Sequence, residues 1–325
     1  MNKKFVLLIK IILTAGILVY IFVKIPFNKI LLSISSANII LILAVIALNI
    51  PIVLLSSFQT KYLTAAQKIS ISFGQILKIY LTTSFYSLFL PGSITGGAVK
   101  WYKFAKYTSK AAAAAVVVFN RYLEIFMTIL IGLLFSLPVV IRSSYKYLII
   151  LWIIVFILLL SSYFLLLSVK VLKKIQGAVV SVSILPGLRI KIINLIDAMV
   201  EFHNLTPKDH FEILGIMFSY HFLSILALYL IAESVNVSLS IFVFAWIRAV
   251  VLIMSMLPIS YSGLGVREGV MIYLLSFYNV SPQSAFAISF LSFAKNLTIP
   301  FVGGIIELKD FLLGKSYKPS EGIND

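Results

Sequence analysis

Seven apolar runs decide what this chain can become: Phe5–Val23, Ile39–Phe58, Ala111–Val140, Tyr147–Val169, Phe211–Ala232, Leu239–Leu257 and Ala285–Ile306. Each, wound as a helix, is long enough to cross a hydrocarbon layer about 30 Å thick. Two shorter stretches, Ile76–Leu90 and Val270–Phe277, border breaks, and read as full spans, half-helices or re-entrant arms. The expected fold is therefore all-α: a polytopic membrane helix bundle of about eight transmembrane helices, with two broken or re-entrant elements in a candidate inverted repeat. With 61% hydrophobic and 12% charged residues, the chain has too little charge to cover a soluble surface. The first run is followed by Lys24, Ile25 and Pro26 and not by a small-residue cleavage site, so it reads as a retained span.

The breaks are the second constraint. Leu90-Pro91-Gly92-Ser93-Ile94-Thr95-Gly96-Gly97 and Leu257-Pro258-Ile259-Ser260-Tyr261-Ser262-Gly263-Leu264-Gly265 are variants of one pattern, each followed by cations: Lys100 and Lys103, then Arg267. A lipid-facing backbone cannot break in this way without partners for its amides and carbonyls, so the breaks belong inside protein or beside a cavity. Pro91, Gly96, Gly97, Pro258, Gly263 and Gly265 are the candidate hinge positions. The likeness continues in Phe119-Asn120-Arg121-Tyr122-Leu123 and Phe293-Ala294-Lys295-Asn296-Leu297, each placing one cation inside a span. This gives one transmembrane domain over 1–313, with halves at about 37–169 and about 210–308 and an amphipathic surface linker at about 170–208. Residues 314–325 read as a disordered polar tail.

Net charge is +16, from 27 Lys and Arg against 11 Asp and Glu. The basic residues lie in short loops, which fits anionic headgroups and the positive-inside bias and argues against a nucleic-acid partner. Lys3 and Lys4 predict a cytoplasmic N-terminus for a multi-pass protein of the cell membrane. The segment Lys170–Lys208 falls on the same side, and the Lys- and Arg-free loop Glu233–Ser238 outside. The charge pattern keeps Lys100, Lys103, Lys106 and Lys110 inside only if the region Ile76–Pro91 is re-entrant or a neighbouring span does not cross. Thr206 and Pro207 mark a helix start.

Ionisable residues within spans are costly and point to a cavity or a partner. Arg121 and Glu124 stand three apart on one face and can neutralise one another. Arg248 and Lys295 have no acid within one helical turn. Lys10 and Lys78 read as snorkelling side chains. The candidate binding set is Arg121, Glu124, Arg248, Arg267, Glu268, Lys295 and Lys100, with the cations Arg121, Arg248, Arg267 and Lys295 converging on one phosphate. Uncompensated guanidinium and ammonium groups suit an anion, and the amides at the helix starts after the glycine turns add donors. A lipid or polyprenyl-phosphate headgroup fits better than a soluble anion. There is no cysteine, and His203, His210 and His221 read as lying at or near one helix boundary, so no metal or cofactor is expected. No nucleotide-binding glycine motif or HExxH occurs, and no histidine stands near Ser260 or Ser262 to make a nucleophile, so no catalytic residue is assigned.

The segment from Leu257 to Gly269, which ends Val266-Arg267-Glu268-Gly269, closely resembles the signature of the lysylphosphatidylglycerol synthase transmembrane, or flippase-like, family. The stretches from Leu90 to Lys100 and Asn120-Arg121-Tyr122-Leu123-Glu124 are similar to its earlier elements, while Lys295 stands where the family usually carries arginine. The resemblance covers nearly the whole chain and implies a membrane domain that binds or flips a phospholipid or aminoacyl-phospholipid, without the soluble aminoacyl-transferase domain. It argues against aminoacyl transfer. A separate synthase or glycosyltransferase is a candidate partner. Two alternatives stand beside lipid transport: a membrane enzyme or accessory subunit acting on polyprenyl-phosphate-linked sugars, and a lipid-binding scaffold that does not transport.

Overall fold

The computed structural model describes residues 3–89, 95–142, 147–182, 185–257 and 259–313, and every regular element among them is helical. Pro91, Pro258 and the segment 314–325 lie outside the described residues. In chain order the α-helices are α1 (Lys3–Lys24), α2 (Phe27–Ser35), α3 (Ile39–Ala47), α4 (Asn49–Ala66), α5 (Phe73–Phe89), α6 (Thr95–Phe104) and α7 (Lys110–Arg142). They continue as α8 (Tyr147–Leu167), α9 (Val169–Ser181), α10 (Pro186–Val200), α11 (Pro207–Ser234), α12 (Ile241–Met256), α13 (Val266–Ser276) and α14 (Pro282–Leu312).

Among the described residues five helical segments are long and apolar enough to cross a membrane: Ile39–Ala66, Lys110–Ile141, Tyr147–Leu167, Pro207–Ser234 and Pro282–Leu312. The pair α1 and α2, bent by 86°, makes a sixth if it counts as one span. That bend follows Pro26, which lacks the amide needed to continue the ladder. The run Leu239–Leu257 appears as the 16-residue α12, and the stretch from Ile76 lies in the 17-residue α5 as far as Phe89.

Local chemistry sets the helix starts. The Asn38 side chain accepts from the Ile40 and Leu41 amides at 2.9 and 3.4 Å. Thr206 and Asp209 form a reciprocal capping box at α11, with Pro207 in the first turn. Ser281 caps α14 in front of Pro282. Such caps contribute about 1 kcal/mol each.

Two units then repeat one order of elements. A shorter helix, a break, a helix of 10 or 11 residues and a long helix follow one another in α5–α6–α7 and again in α12–α13–α14. Their packing is crossed: α5 lies along α14, and α12 lies along α7. Glycine permits both approaches. A Cβ on Gly303 of α14 would overlap the Leu81 carbonyl of α5, and one on Gly132 of α7 would stand 2.6 Å from the Ala249 Cβ of α12. Two ion pairs brace the α14 side: Lys78 with Asp310 at 2.6 Å, and Lys103 of α6 with Glu307. Lys78 is thus held by a carboxylate, where the sequence suggested a snorkelling side chain.

Two large apolar clusters and a smaller one around Ile21, Ile25, Ile30 and Phe286 make up the described core. One large cluster gathers around Phe104, Phe119, Leu123, Phe126 and Phe202, and the other around Phe244, Ile247, Met271, Leu275 and Ile288. Helix α10 lies against the bundle through Ile196 and Met199, and just beyond it Phe202 stacks on Phe119 at 4.2 Å. Full burial of such side chains is worth roughly 1.5–3 kcal/mol each against water, though much less against lipid.

Candidate functional site

The second break shows how a membrane chain ends a helix without stranding its backbone. After Leu257 the chain runs through a 3-10 turn at Tyr261–Gly263 before α13 begins. The Tyr261 amide donates to Thr14 Oγ1 of α1 at 2.8 Å, and the Leu264 amide donates to the Tyr261 carbonyl at 3.1 Å. Gly263 and Gly265 have φ of +77° and +81°, a region that side chains with a Cβ enter only under strain. The Gly265 amide donates to Glu268 Oε2 at 2.7 Å, so a protein carboxylate takes this donor, which the sequence reading had reserved for a ligand.

Two chambers flank α5. The first, of about 620 Å³, lies between α5, α6 and α7, where Gly96 and Gly97 form part of the wall beside Lys100, Asn120, Arg121 and Glu124. A Cβ on Gly96 would overlap the Ser87 hydroxyl, so the α6 start sits directly against α5. Arg121 Nη1 donates to Glu124 Oε2 at 2.7 Å, the pairing that their spacing predicts. Lys100 Nζ sits 5.9 Å from the centre of the Tyr80 ring.

The second chamber, of about 360 Å³, takes Arg248 from α12, Arg267 from α13, and Lys295 and Ser289 from α14, with Asn49 of α4 opposite. Arg267 pairs with Glu268 and lies 4.6 Å over the Phe293 ring. Glu268 is 4% exposed and divides its oxygens between Arg267 and the Gly265 amide, a turn-holding position off the chamber wall. Arg248 Nη1 donates to His221 Nδ1 at 3.2 Å. Among the described residues no carboxylate lies within 4 Å of Arg248, Lys295 or Lys100. Asn49 Nδ2 donates to the Lys295 carbonyl at 3.0 Å and to Thr298 Oγ1 at 2.7 Å, which anchors α14 at the turn carrying the cation.

The geometry therefore brings Arg248, Arg267 and Lys295 to one chamber and Arg121, Glu124 and Lys100 to the other. Of the four cations expected around one phosphate, Arg248, Arg267 and Lys295 line the second chamber and Arg121 lines the first. Tyr80, Ser84 and Ser87 line both chambers. A small polar pocket of about 100 Å³, between Tyr80, Gln59, Asn120 and Tyr220, adjoins them.

Sequence reading missed Tyr80, Asn49 and His221. His221 does not lie at a helix boundary: it is in mid-α11, 1% exposed. Its signal was its place well inside the run Phe211–Ala232, where a polar ring must find a partner.

No curated protein matches the chain. Residues 7–304 match the family model described as lysylphosphatidylglycerol synthase TM region. The chain belongs to that family of membrane domains connected with lipid handling.

Proposed function

We propose that the chain is a flippase-like transporter that binds the phosphate-bearing headgroup of an anionic membrane lipid and moves it between leaflets. The observation that carries this reading is the second chamber: Arg248, Arg267 and Lys295 line it, and neither Arg248 nor Lys295 has a carboxylate within 4 Å among the described residues. A cation removed from water and left uncompensated costs several kcal/mol, and an incoming phosphate relieves that cost. A guanidinium also matches phosphate oxygens in pairs. The chamber's 360 Å³ suits a headgroup and not a whole lipid, so the acyl chains stay in the bilayer while the polar part enters.

Translocation then consists of exposing this seat first to one leaflet and then to the other, with the glycine turn at Gly263–Gly265 as the hinge. Arg121 with Glu124 and Lys100 form a second polar station on the route. The lysines at 3, 4 and 170–174 support a cytoplasmic N-terminus in the cell membrane. The test is reconstitution in proteoliposomes containing fluorescent phosphatidylglycerol, read by dithionite quenching. The wild-type chain accelerates loss of inner-leaflet protection, and Arg248→Ala lowers the rate by about tenfold or more, the size of one lost charge-assisted contact. Equal rates for wild type, Arg248→Ala and protein-free vesicles overturn the reading.

A further inference from the structure

We propose that His221 is the positioning residue for Arg248, an uncharged acceptor that orients the guanidinium without cancelling its charge. This rests on the anion-binding reading above. His221 belongs to α11 and Arg248 to α12, and His221 is not part of the chamber wall that Arg248 lines. A guanidinium carries donors and no acceptor, so the 3.2 Å contact requires a lone pair on Nδ1. The ring proton then resides on Nε2 and the imidazole is neutral. Nε2 is buried and has no hydrogen-bond partner among the described residues, so the ring's polar capacity is spent on Arg248 alone. The Tyr220 ring stands edge-on to it at 5.0 Å and 89°, which holds the imidazole plane.

The contrast with four other interior cations gives the arrangement its meaning. Arg121 is held by Glu124, Arg267 by Glu268, Lys78 by Asp310 and Lys103 by Glu307, each a carboxylate. A carboxylate both orients a cation and neutralises it. A neutral ring orients it only. Arg248 makes no other hydrogen bond among the described residues, so its remaining donors are left to the chamber. Orientation without compensation is the requirement for a site that must take up an anion and also release it.

Asn and Asp at position 221 separate charge from shape, because they are nearly isosteric and both offer an acceptor near the Nδ1 position. In the phosphatidylglycerol assay His221→Asn stays within about threefold of wild type, while His221→Asp falls by about tenfold or more as the new carboxylate occupies Arg248. A second pair guards against misassembly: His221→Leu keeps volume but lacks an acceptor, and it transports more slowly than His221→Asn, whereas a purely packing role reverses that order. Equal rates for the Asn and Asp variants, or Leu faster than Asn, overturn the proposal. If Arg248→Ala lowers transport and Asn equals Asp, only the role of His221 fails. If Arg248→Ala is itself silent, the anion-binding reading fails with it.

Discussion

The two repeat units solve one problem differently. In α5–α6–α7 the cation in the long helix, Arg121, has its counter-charge one turn away on the same helix. In α12–α13–α14 the corresponding cation, Lys295, has no carboxylate within 4 Å among the described residues, and its neighbour Arg248 leans on a neutral ring. The same architecture thus gives one chamber whose arginine is paired on its own helix and another in which Arg248 and Lys295 have no carboxylate beside them. A local ion pair is a poor seat for a phosphate, since the incoming anion must first displace a carboxylate. The second chamber asks for no such exchange.

The largest effect expected from this difference is in transport. Arg248→Ala lowers phosphatidylglycerol translocation by about tenfold or more, while Arg121→Ala lowers it by only about threefold, because Arg121 is already neutralised. Equal losses would erase the distinction between the chambers.

The crossings that build the two units differ as well. A methyl group at Gly303 collides with backbone, the Leu81 carbonyl, whereas one at Gly132 meets the Ala249 side chain at 2.6 Å. Overpacking costs about 1–3 kcal/mol, so Gly303→Ala belongs at the upper end and Gly132→Ala at the lower. Thermal denaturation in detergent should rank Gly303→Ala below Gly132→Ala and both below wild type, and the reverse order would refute the assignment of the α5–α14 contact as the tighter one. The smallest effect sharpens the comparison from the other side. Glu124→Gln removes the counter-charge of Arg121 and makes the first chamber resemble the second, so phosphatidylglycerol retained per protein in native mass spectrometry should rise by about twofold. Unchanged retention would mean that the pair does not limit anion binding there.

Much of the frame was legible in the residues. Apolar run length announces membrane helices because 1.5 Å per residue must match the bilayer. The pair Arg121 and Glu124 was legible because both members lie on one helix, where spacing alone decides contact. Thr206 with Pro207 was legible for the same local reason. Lys78 with Asp310 was not, nor was Lys103 with Glu307, because each pair joins residues more than two hundred positions apart. The bend after Pro26 went unread because apolar content continues on both sides of it. The role of His221 went unread because its partner, Arg248, lies on another helix, although its place inside an apolar run already pointed to burial.

The sequence by itself determined that this is a helical membrane domain with two glycine-marked breaks and more interior cations than anions, since length, hydropathy and helical spacing are properties of contiguous residues. Only the tertiary structure decided which cations share a chamber. The crossed packing of α5 on α14 and of α12 on α7 puts Arg121 in one chamber and Arg248, Arg267 and Lys295 in another, with Tyr80, Ser84 and Ser87 of α5 in the walls of both. Whether a charge is answered by a carboxylate, by a neutral ring or by nothing depends on what an opposing helix carries to it, and no local rule supplies that.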